Sequence, residues 1–208
     1  MSTARTSRRG RPRADEVEQH RRHIIDACYQ ELVERGYQNV TMSQVAARAG
    51  ASKETLYAWF GNRDGLFRAL IIENADASAQ HVRGALDTDA DPAETLTGYA
   101  IGLLTLLTSD RSIALNRAAM TSPELAATLL ESGRHRIGPL VERYLGKLAD
   151  EHYLDIDDPG DAFTLLYGLI VQDTQIRVLL GENPPTSTEI RRRAHTAVER
   201  FLRLTRAH

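Results

Sequence analysis

Lys53, Thr55, Tyr57 and Trp59 place an ammonium, a hydroxyl, a phenol and an indole N–H on one stretch of seven residues. All four are hydrogen-bond donors. Leu56 and Phe60, spaced i, i+4, form an apolar stripe that leaves these groups and Ala58 to one side. Donors of this kind suit phosphate oxygens and base edges, so the chemistry is recognition and not bond-making. The elements that must hold them are legible nearby. Thr41 with Gln44 is a capping box, and Val45, Ala46 and Ala49 give a two-turn helix its apolar face. Gly50 can take the left-handed conformation that ends it. Ser52 caps the next helix, and Asn62 caps a longer one carrying Leu66, Phe67, Leu70 and Ile71. Two short helices joined by a tight turn, about 41–60, are a helix-turn-helix, the unit that lays its second helix in the DNA major groove.

Charge supports a protein that meets nucleic acid at one end. Residues 1–75 hold 12 Lys/Arg against 9 Asp/Glu, whereas residues 76–208 hold 14 against 19. With one cysteine, Cys28, the chain has no disulfide of its own. Cys28 falls on the helical stripe Val17, Ile24, Ile25, Cys28, Leu32, Val33 and is expected to be buried and inert. No apolar run is long enough to span a bilayer, and no apolar segment follows the basic N-terminus as in a signal peptide. A cytoplasmic, reduced protein with no membrane partner is expected.

Along the chain, residues 1–13 form a basic arm, expected to be disordered. A helix is expected over 14–35, and the helix from Arg63 runs to about Leu86. Asp91-Pro92-Ala93-Glu94 is a further capping box with proline in the first turn. Helices follow over about 92–107, 110–119, 123–152, 158–180 and 188–206, the 123–152 segment carrying a kink or split at Gly138-Pro139. The expectation is an all-α chain of about nine helices without strands: the arm, a DNA-binding domain over 14–75, and a helical ligand-binding and dimerisation domain over 76–208.

The stretch GYQNVTMSQVAARAGASKETLYAWFGNRDGLFRALI resembles the N-terminal domain of the tetracycline-repressor (TetR) family of bacterial transcriptional regulators, from about Arg21 to Ala75. The resemblance implies that Lys53, Thr55 and Ala58 face base edges, next to the cap residue Ser52. Tyr57 and Trp59 would hold phosphates, and Arg63 would grip the backbone at the start of the following helix. Thr41 and Ser43 are placed for phosphates at a helix N-terminus. Two positions depart from the family pattern: Ala58 stands where larger readers are usual, and Trp59 can donate but not accept. Trp59 has the alternative of packing against Phe60 or the first helix. Arg9-Gly10-Arg11-Pro12, with Arg13, resembles an AT-hook, whose arginines enter narrow minor grooves; a solvated basic tail is the alternative.

Ile190, Ala194, Ala197, Val198 and Phe201 form one amphipathic stripe, and Phe163, Leu166, Tyr167 and Ile170 another. The family resemblance makes these two helices a homodimer interface, although each stripe could equally face its own core. It also implies a small-molecule cavity among the middle helices, with Tyr99, Leu103, Met120, Tyr144, Tyr167 and Gln172 as candidate lining. SPELA, DPGDAFTLLYGLI and VERFLRL look similar to AcrR-like relatives that take hydrophobic effectors. No catalytic motif, cofactor loop or metal site is recognisable. His20 and His23 lack further ligands nearby, and Asp155, Asp157, Asp158 and Asp161 lack the spacing of a calcium loop. The expected function is a dimeric repressor that binds a palindromic operator in double-stranded DNA and is released by a hydrophobic small molecule. An all-α adaptor without DNA binding and a TetR-type activator are the alternatives.

Overall fold

The computed structural model describes residues 14–87 and 90–206. Arg9, Arg11 and Arg13 lie outside the described residues. The helices begin where side chains can take up orphan amides. α1 spans Ala14–Arg35 and a single 3-10 turn Tyr37–Asn39 follows. The Thr41–Gln44 box closes reciprocally and opens α2, Met42–Ala49, which ends at Gly50 in the left-handed conformation (φ 60°). Ser52 accepts from the Thr55 amide to open α3, Lys53–Phe60. Asn62 Oδ1 accepts from the Gly65 amide at 2.8 Å, at the start of α4, Arg63–Leu86. Asp91 accepts from the amides of Ala93 and Glu94 ahead of α5, Pro92–Leu107. α6 (Asp110–Ala119), α7 (Pro123–Ser132), α8 (Arg134–Asp150), α9 (Pro159–Val171), α10 (Thr174–Leu179) and α11 (Ser187–Thr205) complete the chain. Among the described residues the only strand-like pairing is an isolated bridge between Leu154 and Arg206.

Two expected helices are each divided. The 123–152 segment breaks at Gly133 and not at Gly138-Pro139; Pro139 lies inside α8. At Gly133 a Cβ would stand 2.8 Å from the Leu129 carbonyl oxygen, so the chain makes its tight change of direction where only glycine fits. The 158–180 segment breaks at Gln172, whose φ of 46° no helix interior accepts. Its side chain folds back so that Nε2 donates to the Leu169 carbonyl.

The described residues form two compact units, one ending at Leu66 and the other beginning at Phe67, within α4. In the first, Ile24, Ile25, Cys28 and Leu32 of α1 are buried, as are Val45, Ala46, Leu56 and Phe60. Val17 and Val33 stay exposed, outside that stripe. A buried acid also ties α1 to α2. Glu31 accepts from Arg48 Nε at 2.6 Å and from Arg35 Nε at 2.5 Å, and Arg48 also pairs with Glu34. Burial alone would raise the Glu31 carboxyl, but the bonds from Arg48 and Arg35 outweigh it and hold the group below its usual value of 4.5. A depressed folded value means stability present above the unfolded value and lost as pH falls through the folded one. Glu31→Ala is therefore expected to destabilise the protein by about 2 kcal/mol at pH 7, the scale of charged hydrogen bonds. The difference from wild type should shrink below pH 4 in denaturant titrations.

In the second unit, Leu96, Tyr99 and Leu104 of α5, Val141, Tyr144 and Leu145 of α8, Phe163, Leu166 and Ile170 of α9, and Ile190, Ala194, Val198 and Phe201 of α11 share one core. Both stripes that sequence reasoning offered to a dimer interface are thus turned inward, with Ala197 also buried and Tyr167 partly so. An amphipathic stripe fixes which face is apolar, and here α5 and α8 supply the surface that covers it.

Candidate nucleic-acid interface and cavity

The first unit presents α3 as a short, capped rod with its donors outward. Lys53 and Ala58 are exposed, and Tyr57 is 52% exposed. Thr55 is half-buried, and its hydroxyl sits 3.0 Å from that of the exposed cap residue Ser52, so the methyl is its freer end. Trp59 packs edge-on against His20 of α1 at 5.5 Å between ring centres and against Phe60 at 6.4 Å. That is the packing alternative weighed from sequence, although the indole remains 37% exposed. On α2, Ser43 is exposed, whereas the Thr41 hydroxyl donates to Gln44 Oε1 at 2.8 Å and is committed to its cap.

Arg63 is held in a way that sequence reasoning missed. Its guanidinium lies 4.5 Å above the Tyr37 ring, its Nη1 approaches the Tyr37 carbonyl oxygen at 3.4 Å, and Nε is 3.5 Å from Asp64 Oδ1. The Tyr37 hydroxyl closes the group by donating to the same Asp64 oxygen at 2.9 Å. A planar cation stacked on a ring is pre-oriented, with less rotamer freedom to lose on meeting a phosphate. Tyr37 and Asp64 lie 27 positions apart, so no local pattern announces the pair. An exposed α3, a cap-rich α2 and a pre-oriented arginine can together grip a duplex backbone and touch its base edges.

The second unit contains a cavity of about 240 Å³. Its walls are mostly apolar, from Ile71, Leu103, Leu106, Leu107, Ile137 and Phe163. Of the six candidates from sequence, Tyr99, Leu103 and Tyr167 line it; the other three do not. Tyr144 is buried in the α8 core, and burial raises its phenol above its usual value. Met120 ends α6 at 66% exposure, and Gln172 is the exposed turn residue that bonds back to Leu169. Space for Phe163 beside α8 depends on Gly138, where a Cβ would approach the ring at 3.1 Å. Arg134 stands over both aromatic rings, 5.3 Å from the centre of Phe163 and 4.5 Å from that of Tyr167.

Comparison with known proteins agrees with this two-part layout. Residues 24–70 match the model of the bacterial regulatory proteins of the tetR family, and residues 94–205 match that of the C-terminal domain of AefR-like transcriptional repressors. The HTH-type transcriptional regulator YdeS of Bacillus subtilis is 34% identical over 172 residues, covering 79% of this chain and 81% of its own. A TetR transcriptional regulator from Agrobacterium tumefaciens is 35% identical, with a TM-score of 0.71 over 90% of this chain and 95% of its own. A TetR-family regulator from Mesorhizobium loti superposes with a TM-score of 0.82 over 91% of this chain and 98% of its own; at 23% identity it speaks for the fold. Among the described residues no helix is long and apolar enough to cross a membrane.

Proposed function

The chain belongs to the tetR family of bacterial regulatory proteins, DNA-binding regulators of transcription, and on that premise we propose that it is a homodimeric repressor, released from a palindromic operator by a small-molecule effector. One observation carries the reading. α4 starts at Arg63, the stacked arginine of the first unit, and continues into the second unit, where Ile71, Asn74, Ala75 and Ser78 line the cavity. A ligand that shifts α4 at those residues acts on the same continuous helix that begins with a phosphate-gripping arginine. In a dimer, the two copies of α3 would read successive major-groove faces about 34 Å apart, and a change in that spacing lowers operator affinity. Coupling of about 1–3 kcal/mol gives a 5–150-fold effect. Because the α9 and α11 stripes are buried, dimerisation would draw on outward residues of these helices, among which Leu165 and Leu204 are exposed. The cytoplasm is the compartment where such a protein meets DNA.

Lys53, Thr55 and Ala58 are the proposed base-edge contacts, and Tyr57, Trp59, Ser43 and Arg63 the proposed phosphate contacts. Thr41 and Ser52 serve mainly as caps that aim them. Lys53→Ala should relax preference at one base pair per half-site by roughly 1–3 kcal/mol. Operator selection from random DNA with both proteins checks this, and an unchanged preferred site refutes the assignment. The regulatory reading itself is tested by operator affinity across a salt series, with and without effector. Counterion release demands a steep fall with salt, and an adaptor without DNA binding would show none. An effector that binds the protein and leaves operator affinity unaltered would overturn the release mechanism.

A further inference from the structure

The cavity carries donors that the protein itself leaves unanswered. Tyr99 is only 2% exposed and lines the cavity, yet its hydroxyl makes no hydrogen bond to any described residue. A buried phenol ordinarily finds a partner; this hydroxyl is not among the fully enclosed polar atoms that lack one, so it opens onto the cavity and is available to a ligand. Tyr167, only half-buried, also lines the cavity, and its hydroxyl makes no hydrogen bond to any described residue. Burial pushes the Tyr99 phenol well above its usual value; the Tyr167 phenol adds to this and the Arg134 cation opposes it, so the three groups share one field and Tyr99 keeps its proton.

Arg134 is the one charged side chain among the described lining residues, and no described carboxylate pairs with it. It is solvent-exposed and so stands at the cavity mouth, resting on Tyr167 and Phe163. α8 begins at this residue without a side-chain cap, which leaves the positive end of its dipole at the same place. Of the other polar groups of the lining, Ser78 donates to the Asn74 carbonyl and the Asn116 amide donates to Ser112, while the Asn74 and Gln175 side chains add two neutral amides to the wall.

We propose that the cavity takes a small amphipathic carboxylate, whose head group accepts from Arg134, Tyr99 and Tyr167 while its body packs on Ile71, Leu103 and Leu107. The proposal rests on the reading of this cavity as the effector site and adds the chemistry of the head group. Size follows from volume. A cavity of roughly 150 Å³ holds benzene, so this space suits about ten non-hydrogen atoms, the size of an eight-carbon acid. A neutral isostere would leave the guanidinium unpaired, and an amine would place a cation beside it.

The test is calorimetric titration of the full-length protein with octanoate, octanamide and octylamine, and with 4-phenylbutyrate and its amide. The acids are expected to bind about tenfold or more tightly than the amides, with no binding of the amine. Arg134→Gln should erase the preference for acid, and Arg134→Lys should keep part of it. Tyr99→Phe should weaken the acids severalfold with the melting temperature unchanged or raised. Equal binding of acid and amide, an undiminished preference in Arg134→Gln, or no binding of either acid would overturn the proposal. Operator release measured alongside separates the two readings. Acids that bind with this pattern and do not release DNA uphold the head-group assignment and refute effector control. A neutral compound that releases DNA from a protein that binds no acid refutes the assignment and upholds effector control.

Discussion

Replacing Arg63 by alanine is expected to weaken operator binding by about tenfold or more, and to lower the slope of log affinity against log salt by about two. The slope follows from counting: each phosphate given up returns about one counterion, and a dimer gives up one per protomer. The size of the loss reflects pre-orientation, because the guanidinium already sits over the Tyr37 ring, 4.5 Å from its centre. Arg63→Lys keeps the charge and loses the planar stack, so it should retain the slope and lose part of the affinity. Tyr37→Phe keeps the ring under the guanidinium and removes the 2.9 Å bond to Asp64, so it should cost less than either. If Arg63→Ala leaves the slope unchanged, Arg63 does not touch phosphate and its stack serves the fold of the first unit alone.

Phe163→Ala is expected to cost the second unit about 3–5 kcal/mol, the range for deleting a buried aromatic side chain. Phe163 is both core and cavity wall: it is buried among α5, α8, α9 and α11 residues, faces Gly138, and lies beneath Arg134. Its loss should lower the melting temperature by roughly 10 °C or more and enlarge the cavity, shifting preference toward bulkier ligands. Gly138→Ala works in the opposite sense. A methyl 3.1 Å from the ring must displace it, and into the cavity is the direction with room, so ligand binding should fall with a smaller loss of stability. Thermal melts and ligand titrations of the two variants separate these effects; a Phe163→Ala protein that melts like wild type would remove Phe163 from the core.

What the sequence made legible was local. Thr41–Gln44, Ser52, Asn62 and Asp91 cap the helices they were expected to open, because a cap is a contact between residues two or three apart. Pairings across distance were not legible. Nothing near Arg63 points to Tyr37, and the reciprocal anchoring of Glu31 joins two helices through a residue on the polar flank of α1. Breaks without a proline were also hidden. Gln172 ends α9 with a positive φ that its side-chain type does not advertise, while Pro139, the expected breaker, sits inside α8. Periodicity showed that Ile190, Phe201, Phe163 and Ile170 share apolar faces, yet it does not say whether such a face meets its own core, another protomer or a void. For the same reason Tyr99, Leu103 and Tyr167 reach the cavity while Tyr144, an equally good candidate by type, fills the core beside it.

The continuity of α4 limits how this molecule can be dissected or recombined. Cutting the chain between Leu66 and Phe67 would leave the first unit a four-residue stub of α4, too short to persist as a helix. Keeping α4 to Leu86 would instead carry Ile71 and Ala75 into water without the walls they face across the cavity. Hybrids that join this DNA-reading unit to a relative's sensing unit should therefore inherit α4 together with the sensing unit, with the crossover placed in the Gly61-Asn62 turn ahead of it. Asp64 would then arrive from one parent and Tyr37 from the other, and their hydrogen bond becomes the compatibility rule for the exchange.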